Sequence, residues 1–478
     1  MRRLRMGLTL VVTACLGIGC GGGPTAPAGP IVASVNGATA PAGPIGSTVV
    51  IQGSNLGATQ GTGQVLFANG SGGTVAAVIA SASDWTNTLI VTSVPSGAAT
   101  GNLVVNTVGG TSTPRTFTVT QKVAFSPSTI SWTTTTALPV GLSGHAVAAA
   151  TDPGTPTRSF VYVAGGADST NAPRSTVLVA SVTATGTLGA WTPTTALPAP
   201  VAFAAAVAAT PANSPVSGAG YLYVLGGDST ASGKPVATVY RGTLDATGAV
   251  TGWTPTTPLP AAVHSLGAVI FNGNVYVAGG SDSGNAPVAT VYRAPIQASG
   301  SLGSWQPLTS LPLRLSYFAF ALNGTFLYAF GGDSGTVTPN DSSLTATAVD
   351  NTAYAEIDVR TGDLTAAGWS SSGGQIGKLR AKHTAVVAGG DVLITAGLYN
   401  GSSSGSAEER YAPLNADGSV SSFSGATGSN TIFSAGGGNV FNHAAVGYVD
   451  GTGAFHVLVI GGDDVDTPTK KHNTVFFY

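Results

Sequence analysis

Trp253 to Gly280 reads WTPTTPLPAAVHSLGAVIFNGNVYVAGG, and the next residues bring TVYRAPI, then QASG ending at Gly300. Two apolar runs of alternating pattern, a Gly-Gly pair, a third run and a glycine hairpin predict four strands: Leu266–Phe271, Asn274–Ala278, Ala289–Ile296 and Leu302–Pro307. The same order recurs along the chain. Trp132, Trp191, Trp253, Trp305 and Trp369 mark successive units, and Phe423 takes the sixth place. The Gly pairs are Gly165–Gly166, Gly226–Gly227, Gly279–Gly280, Gly331–Gly332 and Gly461–Gly462, while the fifth unit keeps only Gly397. Tyr240, Tyr292, Tyr354 and Tyr411 form a further column, continued by Leu178 and Phe476. Gly186, Gly248, Gly300, Gly362 and Gly418 precede each outer strand.

A four-stranded unit repeated at this length is the signature of a β-propeller blade. The Gly-Gly, Tyr and Trp order resembles kelch repeats, and the resemblance covers six units from 121 to 478. It implies a six-bladed kelch-type β-propeller of the galactose-oxidase-like kind, with the aromatic columns in the core. The sixth unit stops at its third strand, TVFFY (Thr474–Tyr478), and a spare strand holding Trp132 precedes the first unit. Ile130–Thr133 is therefore expected to pair antiparallel with Thr474–Phe477, which closes the ring and covers a sheet edge.

Upstream, 30–119 carries short alternating runs at Thr48–Gln52, Gln64–Phe67, Val75–Ile79, Leu89–Val94, Asn102–Asn106 and Thr116–Val119. GSTVVIQGSNLG (Gly46–Gly57), Trp85, IVTSVPSGAATG (Ile90–Gly101) and FTV (Phe117–Val119) resemble an IPT/TIG domain, which implies an immunoglobulin-like sandwich acting as spacer or interaction module. The whole chain is thus expected to be all-β. Its 8 % of charged residues, 68 glycines and 43 % of hydrophobic residues agree with a Gly-turned β protein and exclude disorder. A net charge of −2 excludes a general nucleic-acid footprint.

Residues 1–20 read as a leader: the basic MRRLR, an apolar stretch from Met6 to Gly19, then LGIGC closing on Cys20. This resembles a bacterial lipoprotein signal, with Cys20 acylated and VTAC at Val12–Cys15 as the competing match. Residues 21–29 form a Pro/Gly tether. The implied location is the cell envelope, lipid-anchored at the outer membrane or cell surface; ordinary secretion is the alternative. Cys15 and Cys20 are the only cysteines, so no disulfide is expected in the folded part.

Chemistry is expected at one channel mouth. Leu-Pro loops enter the inner strands there, and Asp168, Asp228, Asp282, Asp333, Asp463 and Asp464 follow the Gly pairs. Each Asp also suits simple turn duty. His145, His264, His383 and His443 stand near the inner-strand starts, a position that equally suits bonding a neighbouring blade. With Arg314, Tyr317 and Arg380 they make up the candidate ligand-binding set. His456 reads as packed within a strand, and Lys470, Lys471 and His472 as a solvated loop. No catalytic residue, cofactor or metal is assigned. GGDDVDTP at Gly461–Pro468 lacks the spacing of a calcium loop.

Three functions fit. The first is a monomeric, non-catalytic surface protein that binds a glycan or protein and meets the membrane through its lipid anchor, with no nucleic-acid partner. The second is a secreted sugar-modifying enzyme similar to the kelch-type sialic acid mutarotases, with Arg314 and Arg380 as a carboxylate clamp and His383 as a base near neutrality. The third is a structural coat component. The copper radical chemistry of galactose-oxidase-like enzymes needs a cysteine that this chain lacks after residue 20.

Overall fold

Small residues dominate six short strands: AVAAA (Ala146–Ala150), AAVAA (Ala205–Ala209), GAVIF (Gly267–Phe271), AFALN (Ala319–Asn323), TAVVA (Thr384–Ala388) and AAVGYV (Ala444–Val449). Strands without bulky side chains can crowd round one axis. At Gly267 an added Cβ would lie 2.1 Å from the Phe320 Cβ. In the computed structural model each of these strands packs against the next, and the strand at Ala444–Val449 packs back against that at Ala146–Ala150, so the six form a closed cycle. The structure describes residues 27–151, 159–231, 233–339, 341–342, 346–399, 409–425, 440–450, 452–464, 467 and 469–478. Residues 1–20, with Cys15, Cys20 and the leader expected there, lie outside the described residues. The described residues are all-β, with two short 3-10 turns and no α-helix. No described helix is long and apolar enough to cross a membrane.

Each inner strand begins a four-stranded antiparallel sheet. Sheet I continues through Phe160–Ala164, Val177–Ser181 and Thr192–Pro193. Sheet II adds Tyr221–Leu225, Val239–Leu244 and Val250–Pro255. Sheet III adds Asn274–Ala278, Val291–Pro295 and Gln306–Leu308. Sheet IV adds Phe326–Asp333, Ala348–Ile357 and Leu364–Ser371. Sheet V adds Asp391–Thr395, Arg410–Pro413 and Ser424–Gly425. Sheet VI takes Phe455–Ile460 and Val475–Phe477 from the end of the chain, and its outer strand, Thr133–Thr134, from before sheet I. Thr133 pairs with Phe477 and Thr134 with Phe476, antiparallel. The closure has the expected sense, but its strand lies later than Ile130–Thr133. A 3-10 turn at Pro127–Thr129 delays it, and Ile130 and Trp132 are buried beside Phe476.

Three repeated contacts lock neighbouring sheets. The outer-strand indoles reach back one sheet: Trp191 Nε1 donates to Thr136 O (2.9 Å), Trp253 to Thr195 O (2.8 Å), Trp305 to Thr257 O (3.2 Å) and Trp369 to Thr309 O (2.9 Å). Tyrosines on second strands reach forward to a hairpin glycine, Tyr162 to Gly248 O (2.8 Å), Tyr223 to Gly300 O (2.5 Å) and Tyr276 to Gly362 O (2.7 Å). The second residue of the Gly pair donates its N–H to the loop entering the next sheet, as Gly166 does to Val201 O and Gly227 to Val263 O, both at 2.9 Å. A Cβ at Gly165 would sit 2.2 Å from Val201 O, which is why this column needs glycine. In the fifth unit Ala396 fills the place at φ 48°.

The N-terminal strands form two facing sheets. Ile31–Val35, Thr48–Ser54 and Leu89–Ser93 make one; Ala42–Pro44, Gln64–Asn69, Thr74–Ala76, Ala98–Thr107, Gly110–Thr111 and Arg115–Thr120 make the other. Between them lie Val49, Ile51, Phe67, Trp85, Leu103 and Phe117, all nearly inaccessible. Trp85 Nε1 donates to Leu56 O at 2.8 Å. This unit rests on the ring at the far ends of the inner strands. Thr39 N donates to Ser214 O (3.2 Å), Ala40 N to Pro211 O (2.8 Å), and Arg360 pairs with Asp84 at 2.5 Å.

Candidate functional site

At the other end of the ring the chain enters each inner strand through one left-handed residue. These are Gly144 (φ 55°), Phe203 (54°), Ser265 (53°), Tyr317 (51°), Lys382 (58°) and Asn442 (52°). Bulky residues avoid this conformation unless their surroundings hold them there. Here the support is an arc of backbone hydrogen bonds about the axis, from Ser265 round to Tyr317. Gly144 N donates to Asn442 O (2.8 Å), Phe203 N to Gly144 O (2.6 Å), Ser265 N to Phe203 O (2.8 Å), Lys382 N to Tyr317 O (2.9 Å) and Asn442 N to Lys382 O (3.2 Å). This rim bounds a cavity of about 210 Å³ that runs along the inner strands.

His145, His383 and His443 each follow a rim residue directly and line that cavity with Tyr317. Their rings serve the neighbouring sheet. His383 Nε2 donates to Phe330 O at 3.0 Å, and His443 Nε2 lies 3.0 Å from both the Thr384 and Thr395 hydroxyls. His145 sits against the Ile460 carbonyl. Burial pushes His145 down to about 4 and His383 and His443 to about 3, with the Arg380 charge and the partner histidines adding at the last two. All three are neutral near pH 7. The expectation of His383 as a base near neutrality is thereby corrected.

His264 does not share their position. It precedes its rim residue, Ser265, whereas the other three follow theirs. Its Nε2 faces the Asn285 side-chain amide at 3.2 Å. Nδ1 faces the Ser265 hydroxyl (3.1 Å) and the Asp228 carboxyl group (3.6 Å). Asp228 is buried, and neither of its oxygens has a hydrogen-bond partner. Burial pushes its carboxyl up to about 7 and pushes His264 down to about 4.

The other exit-loop acids divide. Asp168 and Asp282 accept backbone N–H groups two and four residues on, Asp333 accepts from Gly335 N, and Asp464 from Thr467 N, all as turn residues. Asp463 instead joins a buried cluster, accepting from Asn442 Nδ2 (2.8 Å) and from Lys471. Lys471 Nζ also meets Asn171 Oδ1 at 2.7 Å, and His472 is buried beside Asp464. The solvated-loop reading of Lys471 and His472 is corrected, because both close the seam between the last sheet and the first. His456 is packed as expected, 2.9 Å from Asp450 and stacked on Phe477.

The two arginines lie apart from the cavity. Arg314 is exposed on the loop before sheet IV. Arg380 is wholly buried where the other five units place Leu142, Val201, Val263, Leu315 and Val440, and its Nη1 donates to Ala396 O at 2.9 Å. Sequence reasoning missed Lys382. Its ammonium meets Asp341 O at 2.5 Å and Pro339 O at 3.2 Å, over the rings of Tyr317 and Phe441. Burial pushes it down to about 8. Its place directly before His383 in the repeat was the available signal. Among the described residues no group of three His, Cys, Asp or Glu has metal-binding geometry. The chain matches no family model and no curated protein.

Proposed function

We propose that the chain is a six-bladed kelch-type β-propeller behind an IPT/TIG domain, and that it serves as a lipid-anchored surface protein that binds a glycan or protein partner. The carrying observation is an orientation. The strand Ile31–Val35 runs toward the ring, spanning about 17 Å at 3.3–3.4 Å per residue, and Gly37 just beyond it abuts Asn272. Its start therefore points away from the ring, on the side opposite the rim. An anchor at Cys20 would hold the sandwich toward the membrane and turn the rim outward.

The sugar-modifying reading asks for a carboxylate clamp from Arg314 and Arg380 and a base at His383. Arg380 is spent on the wall between sheets, Arg314 stands outside the cavity, and His383 donates its proton to a carbonyl. Binding is the reading these placements favour.

Two measurements test it. Cys20→Ser should move the protein from the membrane fraction to the soluble one, and purified full-length protein should bind at least one class on a glycan and cell-surface protein array. A Cys20→Ser chain that still sediments with membranes would overturn the anchoring. Accelerated anomerisation of sialic acids in NMR would overturn the non-catalytic reading.

A further inference from the structure

A larger cavity lies where no sequence motif pointed. The N-terminal unit meets the ring along residues 37–40 on one side, and beside that contact stays a cleft of about 480 Å³. Its walls come from both units: residues 36, 42–44 and 46–48 of the first, and turns of sheets II to V from the second. Volumes of this order at domain interfaces are usual for small-molecule sites.

The chemistry of the walls is narrow. No lining residue carries a titratable side chain, while Asn36, Asn213, Asn272, Asn323 and Asn415 surround the space. Phe271 and Phe326 are half-buried there, and Ile45, between the lining residues Pro44 and Gly46, stays 49 % exposed. A charged ligand would lose its hydration here without gaining a counter-charge. Asn213 and Asn415 hold their own turns through both amide ends, and Asn36 Oδ1 accepts from Val50 N. The Asn272 amide and the remaining lone pairs and N–H groups donate and accept at once, which suits hydroxyl groups, and half-exposed rings suit the apolar face of a sugar. The cleft is also preformed, since the backbone bonds at Thr39 and Ala40 and the Arg360–Asp84 pair fix both units around it.

We infer that this cleft between the sandwich and the ring is a binding site for a short segment of uncharged glycan. The inference rests on the binding-protein reading above but places the ligand opposite the rim. A peptide is the less suited occupant, because the walls offer no charge to meet its termini or ionic side chains.

The test is calorimetry and saturation-transfer NMR on full-length protein with cellotetraose, chitotetraose, maltotetraose and mannotetraose. Sialyllactose and an Ala-Gly tetrapeptide serve as the charged probes. Ala416→Trp, at an exposed hairpin tip, and Ala212→Trp each fill the cleft from a different wall. At least one neutral tetrasaccharide should bind, and either substitution should weaken it about tenfold or more while the melting temperature holds. If Ala212→Trp fails to fold, Ala416→Trp decides alone. No neutral sugar binding, or tighter binding of sialyllactose or the peptide, would overturn the inference. Sugar binding untouched by both substitutions would also overturn it, yet leave the surface-binding reading standing.

Discussion

Two residues break their column, and each yields a measurable consequence. Ala396 holds φ 48° where the other five units place glycine at φ 54–64°. A left-handed L-residue costs about 1–2 kcal/mol, partly offset by the extra entropy a glycine loses on folding. Ala396→Gly should therefore stabilise the protein by about 0.5–1 kcal/mol in urea denaturation, whereas Gly165→Ala should destabilise it by more than that, since its Cβ would meet Val201 O. Equal effects at both sites would mean that the Gly165–Val201 contact does not require glycine. Asp228 is the second exception. Its carboxyl binds a proton more tightly folded, at about 7, than unfolded, near 3.9. Stability is therefore lost as pH rises from about 4 to 7, and the penalty is complete above that range. Asp228→Asn should raise the melting temperature at pH 8, by the equivalent of about 4 kcal/mol, and converge with the unsubstituted chain at pH 4. The buried histidines act in the opposite sense, with stability present above about 6.5 and lost in acid. His145, His383, His443 and His472 do so in both proteins and cancel in the difference, whereas His264, 3.6 Å from Asp228, feels the substitution in acid, so the size of the gap is read between pH 7 and 8. A gap that does not change with pH would remove the buried charge from the account.

At the level of strands, closure depends on very little chain. Thr133–Thr134 offers only two paired residues, yet the seam continues as Thr135 N donates to Val475 O and Leu138 N to Asn473 O. Val475 and Phe476 are buried at its centre, each worth about 1.5–3 kcal/mol. Deleting Val475–Tyr478 should lower stability by about 3–6 kcal/mol and expose the ring to protease; an unchanged melting temperature would mean the ring is held elsewhere. This strand exchange was legible because Trp132 and TVFFY are leftover pieces of a strong repeat. The rim was not legible. Its six residues, Gly, Phe, Ser, Tyr, Lys and Asn, share a backbone conformation and nothing in composition, so no pattern of residue types could reveal it. His264 reads like the other histidines because an offset of two residues is invisible within a loop of unknown conformation. Arg380 drew attention as a charge, but the matching Leu and Val residues of the other units mark its place as core. Tyr162, Tyr223 and Tyr276, which bond across the sheets, sit in plain apolar runs where nothing in the sequence distinguishes them from core residues.

Over the whole molecule, the two units have separate cores. The cluster around Trp85 and Phe117 contains no ring residue, so docking rests on a thin strip. Arg360 is 41 % exposed, and an exposed pair contributes only about 0.2–1 kcal/mol. Gly37 bears more of the contact, because a Cβ there would lie 2.6 Å from Asn272 O and its φ is 60°. Gly37→Val should therefore push the sandwich off the ring without melting either part. The expected readings are a larger radius of gyration by small-angle scattering, new protease cleavage within 36–41, and an unchanged melting transition for the ring. Because the cleft exists only while the units touch, the same substitution should weaken any ligand held there. If the radius of gyration and the protease resistance both stay unchanged, the strip at 37–40 does not set the arrangement, and the cleft owes its shape to other contacts.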